Sequence, residues 1–249
     1  MVWGMSLPSN FGEFWPEGDF EGCNEQDISG WRERLIKYFN NQSSESQTAL
    51  FNFTGDGSGN AAHFYPGYVG SKFISEIGAV VGAGRPPLSP IYKHEPPHSF
   101  DIIRGGKTLG SLIKLNDRIL AADAALKTII EDLEPCTHKF FPITINIRNK
   151  IPYKDKYYTL VIGQYIESFL PESSAATSFR TTANGHFRHE EAKHSMSELT
   201  FSKAIFGSAH LWRERRLSGE WLTCFSDELE SRIVGAGLRI PKHYRMKEI

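Results

Sequence analysis

The chain is expected to fold as an α+β protein, with a mixed or antiparallel sheet and short packing helices. Two strand–helix–strand units carry that expectation. In the first, Asp123 precedes an apolar stripe, Leu126 and Ile130, and Phe141-Pro142-Ile143 follows as a strand. In the second, Ser226 and Asp227 open a helix carrying Leu229, Ile233 and Val234, with Gly235 and Gly237 as its stop and His243–Met246 as the closing strand. Asp and Ser are N-cap residues, because a side-chain oxygen accepts the free N–H groups of the first helical turn. The i, i+4 spacing of the apolar residues gives one buried face. Laid over each other without a gap, the units put Leu229 on Leu126, Ile233 on Ile130, Ser226 on Asp123 and Tyr244 on Phe141, an internal repeat of low identity.

The remaining elements are read in order. Residues 1–27 hold six acidic side chains, Glu13, Glu17, Asp19, Glu21, Glu25 and Asp27, and no Lys or Arg, interleaved with Phe11, Phe14, Trp15 and Phe20. Two readings fit: an arm whose aromatics dock on the domain, or an acidic, aromatic surface that steers and anchors a basic partner. Ile28, Trp31, Leu35 and Tyr38–Phe39 predict a helix capped by Asp27 and stopped at Asn40–Asn41. Residues 42–47 read as a polar loop, 49–54 as a strand and 55–70 as loops. Five prolines between Pro86 and Pro97 exclude a regular helix and disfavour a central strand, so this segment reads as an extended connection. Residues 1–99 thus form an N-terminal region and 100–249 an α+β domain, and one continuous domain fits equally well. Tyr157–Ile166 reads as a buried strand, 171–185 as an exposed Ser/Ala/Thr-rich loop, 186–194 as a charged insert. Leu199–Ile205, Ala209–Trp212 and Glu220–Phe225 read as strands.

The bulk properties exclude several function classes. With 249 residues, 40% hydrophobic, 23% charged and a net charge of −1, the chain is an ordinary globular protein with no basic excess for nucleic acid. Its three cysteines, Cys23, Cys136 and Cys224, are far apart and suit a reducing compartment. Cys136 and Cys224 read as buried packing thiols. The N-terminus lacks the basic and apolar regions of a secretory signal, and no apolar run could span a bilayer. A cytoplasmic location is expected, with no membrane and no cofactor.

Few constellations suggest chemistry. Gly55, Gly57 and Gly59 are not followed by Gly-Lys-Ser/Thr, and the run Gly78–Gly84 lacks the Gly-x-Gly-x-x-Gly order, so nucleotide binding is not expected. His186, His189, Glu190 and His194 are the densest set of metal-ligand types. On a helix 186, 189/190 and 193/194 would share a face, allowing a metal-dependent hydrolase with His186, His189 and His194 as ligands. However, His189 and His194 are five apart, not the four of His-Glu-x-x-His, and a solvated polar segment explains the run as well. Arg213, Arg215 and Arg216, beside His210 and Trp212, could meet phosphate or an acidic surface, or form a solvated turn.

The segments His210-Leu211-Trp212-Arg213, Thr223-Cys224-Phe225-Ser226-Asp227-Glu228-Leu229, Gly237-Leu238 and Tyr244-Arg245 resemble the ending of the bacterial immunity-protein-11 family. Leu126 through Pro135 with Lys139-Phe140-Phe141-Pro142-Ile143, then Tyr157–Val161, resembles its earlier helix, Phe-x-Pro strand and Tyr-rich strand, so the likeness covers about 100–249. Asp123 stands where the family often has Ser-Asp or Ser-Glu. The resemblance implies a cytoplasmic antitoxin, not an enzyme, that neutralises a cognate toxin domain encoded by an adjacent gene through stoichiometric binding. The matched residues Asp123, Leu126, Phe141, Pro142, Ser226, Asp227, Leu229 and Gly237 are all explained by capping, packing and turns. Toxin contact is therefore expected where the chain leaves the pattern: Phe14, Trp15, Glu17, Asp19 and Glu21 in the arm, His186, His189, Glu190 and Glu191 in the insert, and the loops at 55–70.

Overall fold

The computed structural model describes residues 1–22, 29–50, 61–81, 86–104, 108–182, 187–189, 195–218 and 222–249. The N-terminal part gives strands β1 (Val2–Met5) and β2 (Glu17–Phe20), then helices α1 (Gly30–Asn40), α2 (Ser44–Leu50) and α3 (Ala61–Ile74). Next come β3 (Ser99–Arg104), β4 (Leu112–Lys114), β5 (Leu120–Asp123), α4 (Ala124–Leu133), β6 (Lys139–Ile147), β7 (Ile151–Pro152) and β8 (Tyr157–Val161). The last part holds β9 (Tyr165–Ile166), β10 (Phe179–Thr181), β11 (Phe187–His189), β12 (Thr200–Phe201) and α5 (Lys203–Phe206). It closes with β13 (Leu211–Glu214), β14 (Leu217–Ser218), β15 (Thr223–Ser226), α6 (Asp227–Gly235) and β16 (His243–Glu248). The α+β expectation holds, and the sheets are mixed.

One sheet runs β2-β3-β6-β8-β5-β4, with β7 beside β6, and another runs β12-β16-β1-β15-β13-β9. Their central pairings match. In the first, β3 is parallel to β6, and β6–β8, β8–β5 and β5–β4 are antiparallel. In the second, β12 is parallel to β16, and β16–β1, β1–β15 and β15–β13 are antiparallel. Each helix, α4 or α6, leaves one strand of its sheet and leads back to a strand one place removed. The strand filling the gap is β8 in one case and the chain's own N-terminal β1 in the other. Since β1 sits between β15 and β16, and β2 pairs with β3, both sheets are built across residue 99.

The period of two along a strand sends neighbours to opposite faces. Leu112, Leu120, Leu160, Leu211 and Phe225 point into a shared core with Leu126 and Ile130 of α4 and Leu229 and Ile233 of α6. Ile113, Ala121, Ile143 and Ile145 face Trp31, Leu35 and Phe39 of α1 and Tyr65, Val69 and Phe73 of α3. Trp212, Cys224 and Val2 face a third cluster around Phe169, Phe201 and Phe206. Pro142 stands where β6 has only β8 beside it, before β3 joins at Thr144, an edge position of the kind that tolerates proline.

Both predicted caps are made. Asp123 and Ser226 accept the N–H of Leu126 and Leu229 at 2.8 and 3.1 Å. The exit of α6 is a Schellman turn: Gly237, at φ +65°, donates to Val234 O, and Leu238 donates to Ile233 O. The cap of α1 is Ser29, accepting from Arg32; Asp27 lies outside the described residues, while the stop at Asn41 is as expected.

Several local readings are corrected. Residues 44–50 form α2 where a polar loop and the start of a strand were expected; the rest of that strand and Gly55–Gly59 lie outside the described residues. Residues 61–70 belong to α3 and are not loop, because Tyr65, Tyr68, Val69 and Phe73 bury one helical face despite Pro66. The 171–185 stretch includes β10 and the buried Ser178, and Phe179 and Phe187 pack on Phe169 at 5.2 and 5.5 Å between ring centroids. Strand Thr200–Phe201 gives way to α5, so Leu199–Ile205 is not one strand. Cys224 is buried as expected, but Cys136 is exposed in a turn at φ +61°.

Candidate functional site

The proline-rich segment is an extended connection, as expected, and it is held rigidly and presents an aromatic surface. Leu88 pairs by backbone hydrogen bonds with Gly78 and Ala79, and the Tyr68 hydroxyl donates to Pro87 O. Beneath the segment, Glu95 is fully buried. Its Oε1 accepts from Lys72 Nζ at 2.5 Å and from the Tyr65 hydroxyl at 3.1 Å, and its Oε2 accepts from Tyr92 N at 2.7 Å. Trp31 Nε1 donates to Glu95 O, and Arg34 donates to the carbonyls of His94 and Pro96. With prolines fixing φ and these bonds fixing position, little entropy remains to be lost when a partner docks.

What this frame presents is a stack of rings. His94 lies on Tyr38 with centroids 3.6 Å apart and 22° between planes, and Tyr92 follows at 6.1 Å and 12°. Tyr92 is 51% and Tyr38 36% exposed. Lys72 Nζ sits 4.5 Å from the centroid of the Tyr92 ring. The single hydrogen of the Tyr65 hydroxyl goes to Glu95, so the 3.0 Å contact with His94 is a donation from Nε2–H. Burial, with the Lys72 and Arg34 charges adding to it against Glu95, lowers the His94 pKa, which keeps the ring uncharged and stacked at neutral pH. Exposed, preorganised tyrosines are the side chains that anchor protein interfaces. The surface was missed in the sequence because its support comes from Lys72 and Arg34, on helices whose approach no local pattern records.

The arm residues are engaged within the chain, and Glu21 meets this frame through Arg34. Phe14 rests on Gly110, where an added Cβ would meet its ring at 2.4 Å. Trp15 carries Lys114 Nζ over its face at 3.4 Å. Glu17 is 3.9 Å from Arg104, Asp19 accepts from Asn116 at 3.0 Å, and Glu21 takes Arg34 Nη2 at 2.7 Å and the His98 N–H at 3.0 Å. Burial would raise the Glu21 pKa, but Arg34 and His98 outweigh it and the net direction is down.

Of the insert residues expected to meet toxin or metal, His189 is described; His186, Glu190, Glu191 and His194 lie outside the described residues. His189 stands on strand β11, paired with β10 and β14, and its Nε2 is 2.7 Å from Ser195 Oγ. The helical face imagined for the insert is therefore replaced by a strand at 187–189. Among the described residues no three His, Cys, Asp or Glu side chains gather as a metal site. Glu17 and Asp19 of the arm are on β2 and His189 is on β11 of a separate three-stranded sheet, β10-β11-β14. The three arginines also separate. Arg213 is buried on β13, whereas Arg215, exposed and paired with Glu76 at 2.5 Å, and Arg216, donating to Phe169 O, make the expected turn between β13 and β14, so the solvated turn holds without Arg213.

A polar hub joins the two sheets. Glu134, at the end of α4, accepts the N–H groups of His210 and Leu211 at 2.7 and 2.9 Å, Gln164 at 2.5 Å and His138 Nε2 at 2.7 Å. The Gly163 N–H donates to His138 Nδ1, which assigns the Glu134 donor to Nε2. His210 Nδ1 is in turn 2.7 Å from the capping Ser226 Oγ. Every member is used in joining elements, so the hub reads as scaffold.

No helix among the described residues is long and apolar enough to cross a membrane. A family model described as the immunity protein family (Imm11) matches residues 83–247, about two-thirds of the chain. The match takes in the proline-rich segment, both capped helices and the polar hub. No curated protein matches the sequence.

Proposed function

The chain belongs to the immunity protein family (Imm11), and we propose that it protects by binding one cognate toxin domain stoichiometrically and covering a surface that toxin needs. The observation that carries this reading is the Tyr38–His94–Tyr92 stack, held from beneath by Glu95 and Lys72. Catalysis needs a cleft with convergent reactive groups. A rigid, exposed aromatic face serves association, where anchors that are already ordered cost little on docking. A standard interface buries about 1,600 Å² in total, enough to spread from this stack over neighbouring surface. The partner is a cytosolic toxin domain from an adjacent gene, and inhibition is by occlusion without a cofactor.

The experiment pairs this chain with the toxic product of the neighbouring gene, reading growth rescue and complex formation. Wild type rescues growth and forms a one-to-one complex. The Tyr38→Ala/Tyr92→Ala variant keeps its fold and loses at least about 2 kcal/mol of binding, roughly thirtyfold, as for interface anchors elsewhere. Glu17→Lys in the arm is the comparison. If it abolishes binding and the tyrosine variant does not, the docking face lies in the arm. If the toxic neighbour is neither bound nor neutralised, stoichiometric inhibition is wrong.

A further inference from the structure

A second feature lies inside the molecule. Tyr165 of β9, Arg213 of β13 and Thr223 of β15 are direct partners across three neighbouring strands. Direct partners share a face of a sheet. Trp212 points to the opposite cluster, so this row faces the shared core together with Leu211 and Phe225. Each member carries buried polar atoms with no partner: the Tyr165 hydroxyl, Nε and Nη2 of Arg213, and Thr223 Oγ1.

Arg213 is the decisive member. It is 2% exposed, and among the described residues no carboxylate pairs with it. Its neighbour Glu214 turns to the other face, accepting from Ser168 and Phe169. Burial pulls the Arg213 pKa down, yet a guanidinium starts so high that it keeps its charge at neutral pH. A buried charge without a counter-charge is the least tolerated group in a protein interior. The two unpartnered nitrogens are also specific, since Nε–H and one Nη–H form the side edge of the fork that takes two oxygens of an oxyanion. Burial pushes Tyr165 up to about 12, so its hydroxyl remains a donor. The row offers donors and one positive charge.

Space adjoins it. Tyr165 lines a cavity of about 70 Å³ with Lys72, Ser89 and Lys139, and the Ser89 hydroxyl is also unpartnered. Thr223 lines a smaller apolar one of about 20 Å³ with Leu211, and Ile162 lines both. We propose that Tyr165, Arg213 and Thr223 form an internal site for a small monocarboxylate, its two oxygens on the Nε–H/Nη2–H edge of Arg213 and its apolar end toward Ile162 and Leu211. One negative charge balances one guanidinium; a phosphate dianion would leave an uncompensated charge in an apolar core. This site stands independently of the toxin-binding reading.

The test titrates the full chain with sodium acetate, following thermal unfolding and calorimetry at ionic strength fixed with sodium chloride, with sodium phosphate in parallel. Acetate raises the unfolding midpoint of wild type saturably, as a ligand of the folded state must. Arg213→Met loses that response and unfolds no lower than wild type without acetate, because an unpaired buried charge has been removed. Should Arg213→Met fail to fold, Tyr165→Phe is expected to weaken acetate about three- to tenfold through one lost hydrogen bond, and the Arg213 Nε–H resonance of wild type moves on addition of acetate. Wild type responding to acetate no more than to chloride overturns the proposal, as does Arg213→Met keeping the acetate response. A phosphate response stronger than that to acetate overturns the carboxylate assignment.

Discussion

Lys72 Nζ and Glu95 Oε1 meet at 2.5 Å with their side chains 1% and 0% exposed. The pair ties α3 to the proline-rich segment, and the second oxygen of Glu95 holds Tyr92 N. Removing one member leaves the other charge buried and alone, a loss of about 3–5 kcal/mol, whereas replacing both by apolar residues removes the penalty with the bond. Glu95→Leu is therefore expected to lose about 3–5 kcal/mol in urea unfolding, and Lys72→Met/Glu95→Leu to lose clearly less. Equal losses for single and double variants would contradict a pair that is only worth having intact.

The polar hub makes stability depend on acid. Burial raises the Glu134 pKa, but His138, the His210 N–H and Gln164 together outweigh it, so the folded value lies below the ordinary 4.5. The stabilisation is therefore complete above pH 4.5 and disappears as pH falls through the lower folded value. Glu21 acts in the same window and sense, while Glu214, raised by burial, acts in the opposite sense. Glu134→Gln keeps the shape but replaces one acceptor with a donor opposite backbone N–H groups, costing about 1.5–3 kcal/mol at pH 7. Below pH 4.5 its unfolding free energy should fall less steeply than that of wild type. Parallel curves down to pH 3 would remove Glu134 as the source.

How much of this was readable in the chain depends on the distance over which each feature is decided. The caps at Asp123 and Ser226 are settled within four residues, and the structure has both. Helix α3 carried its signal in the spacing of Tyr65, Tyr68, Val69 and Phe73, but Pro66, Gly67 and Gly70 argue locally for loop, and packing overrode them. Strand β1 has no such signal, because its partners Phe225 and Arg245 lie at the far end of the chain. The same holds for the sites. Arg213 among charged neighbours looks like a surface turn, and only the register with Tyr165 and Thr223 shows it buried. Tyr92 and His94 became a presented surface only once α1 and α3 were seen beneath them.

The two capped helices separate a local effect from a connected one. Asp123 and Ser226 each accept one N–H of the first helical turn, and losing such a cap costs about 1 kcal/mol. Ser226 does more, since its hydroxyl also meets His210 Nδ1, whose backbone N–H is held by Glu134. Ser226→Ala therefore leaves a second polar atom in a mostly buried place without its partner, adding about 1 kcal/mol or more. Asp123→Ala is expected to cost about 1 kcal/mol and Ser226→Ala about 2, measured by urea unfolding at pH 7. A double-mutant cycle of Ser226→Ala with Glu134→Gln should show coupling of at least about 0.5 kcal/mol, because both act on His210, and Asp123→Ala with Glu134→Gln should be closer to additive. If the Ser226 cycle is additive and the two single cap losses are equal, Ser226 is a plain cap and the hub ends at His210.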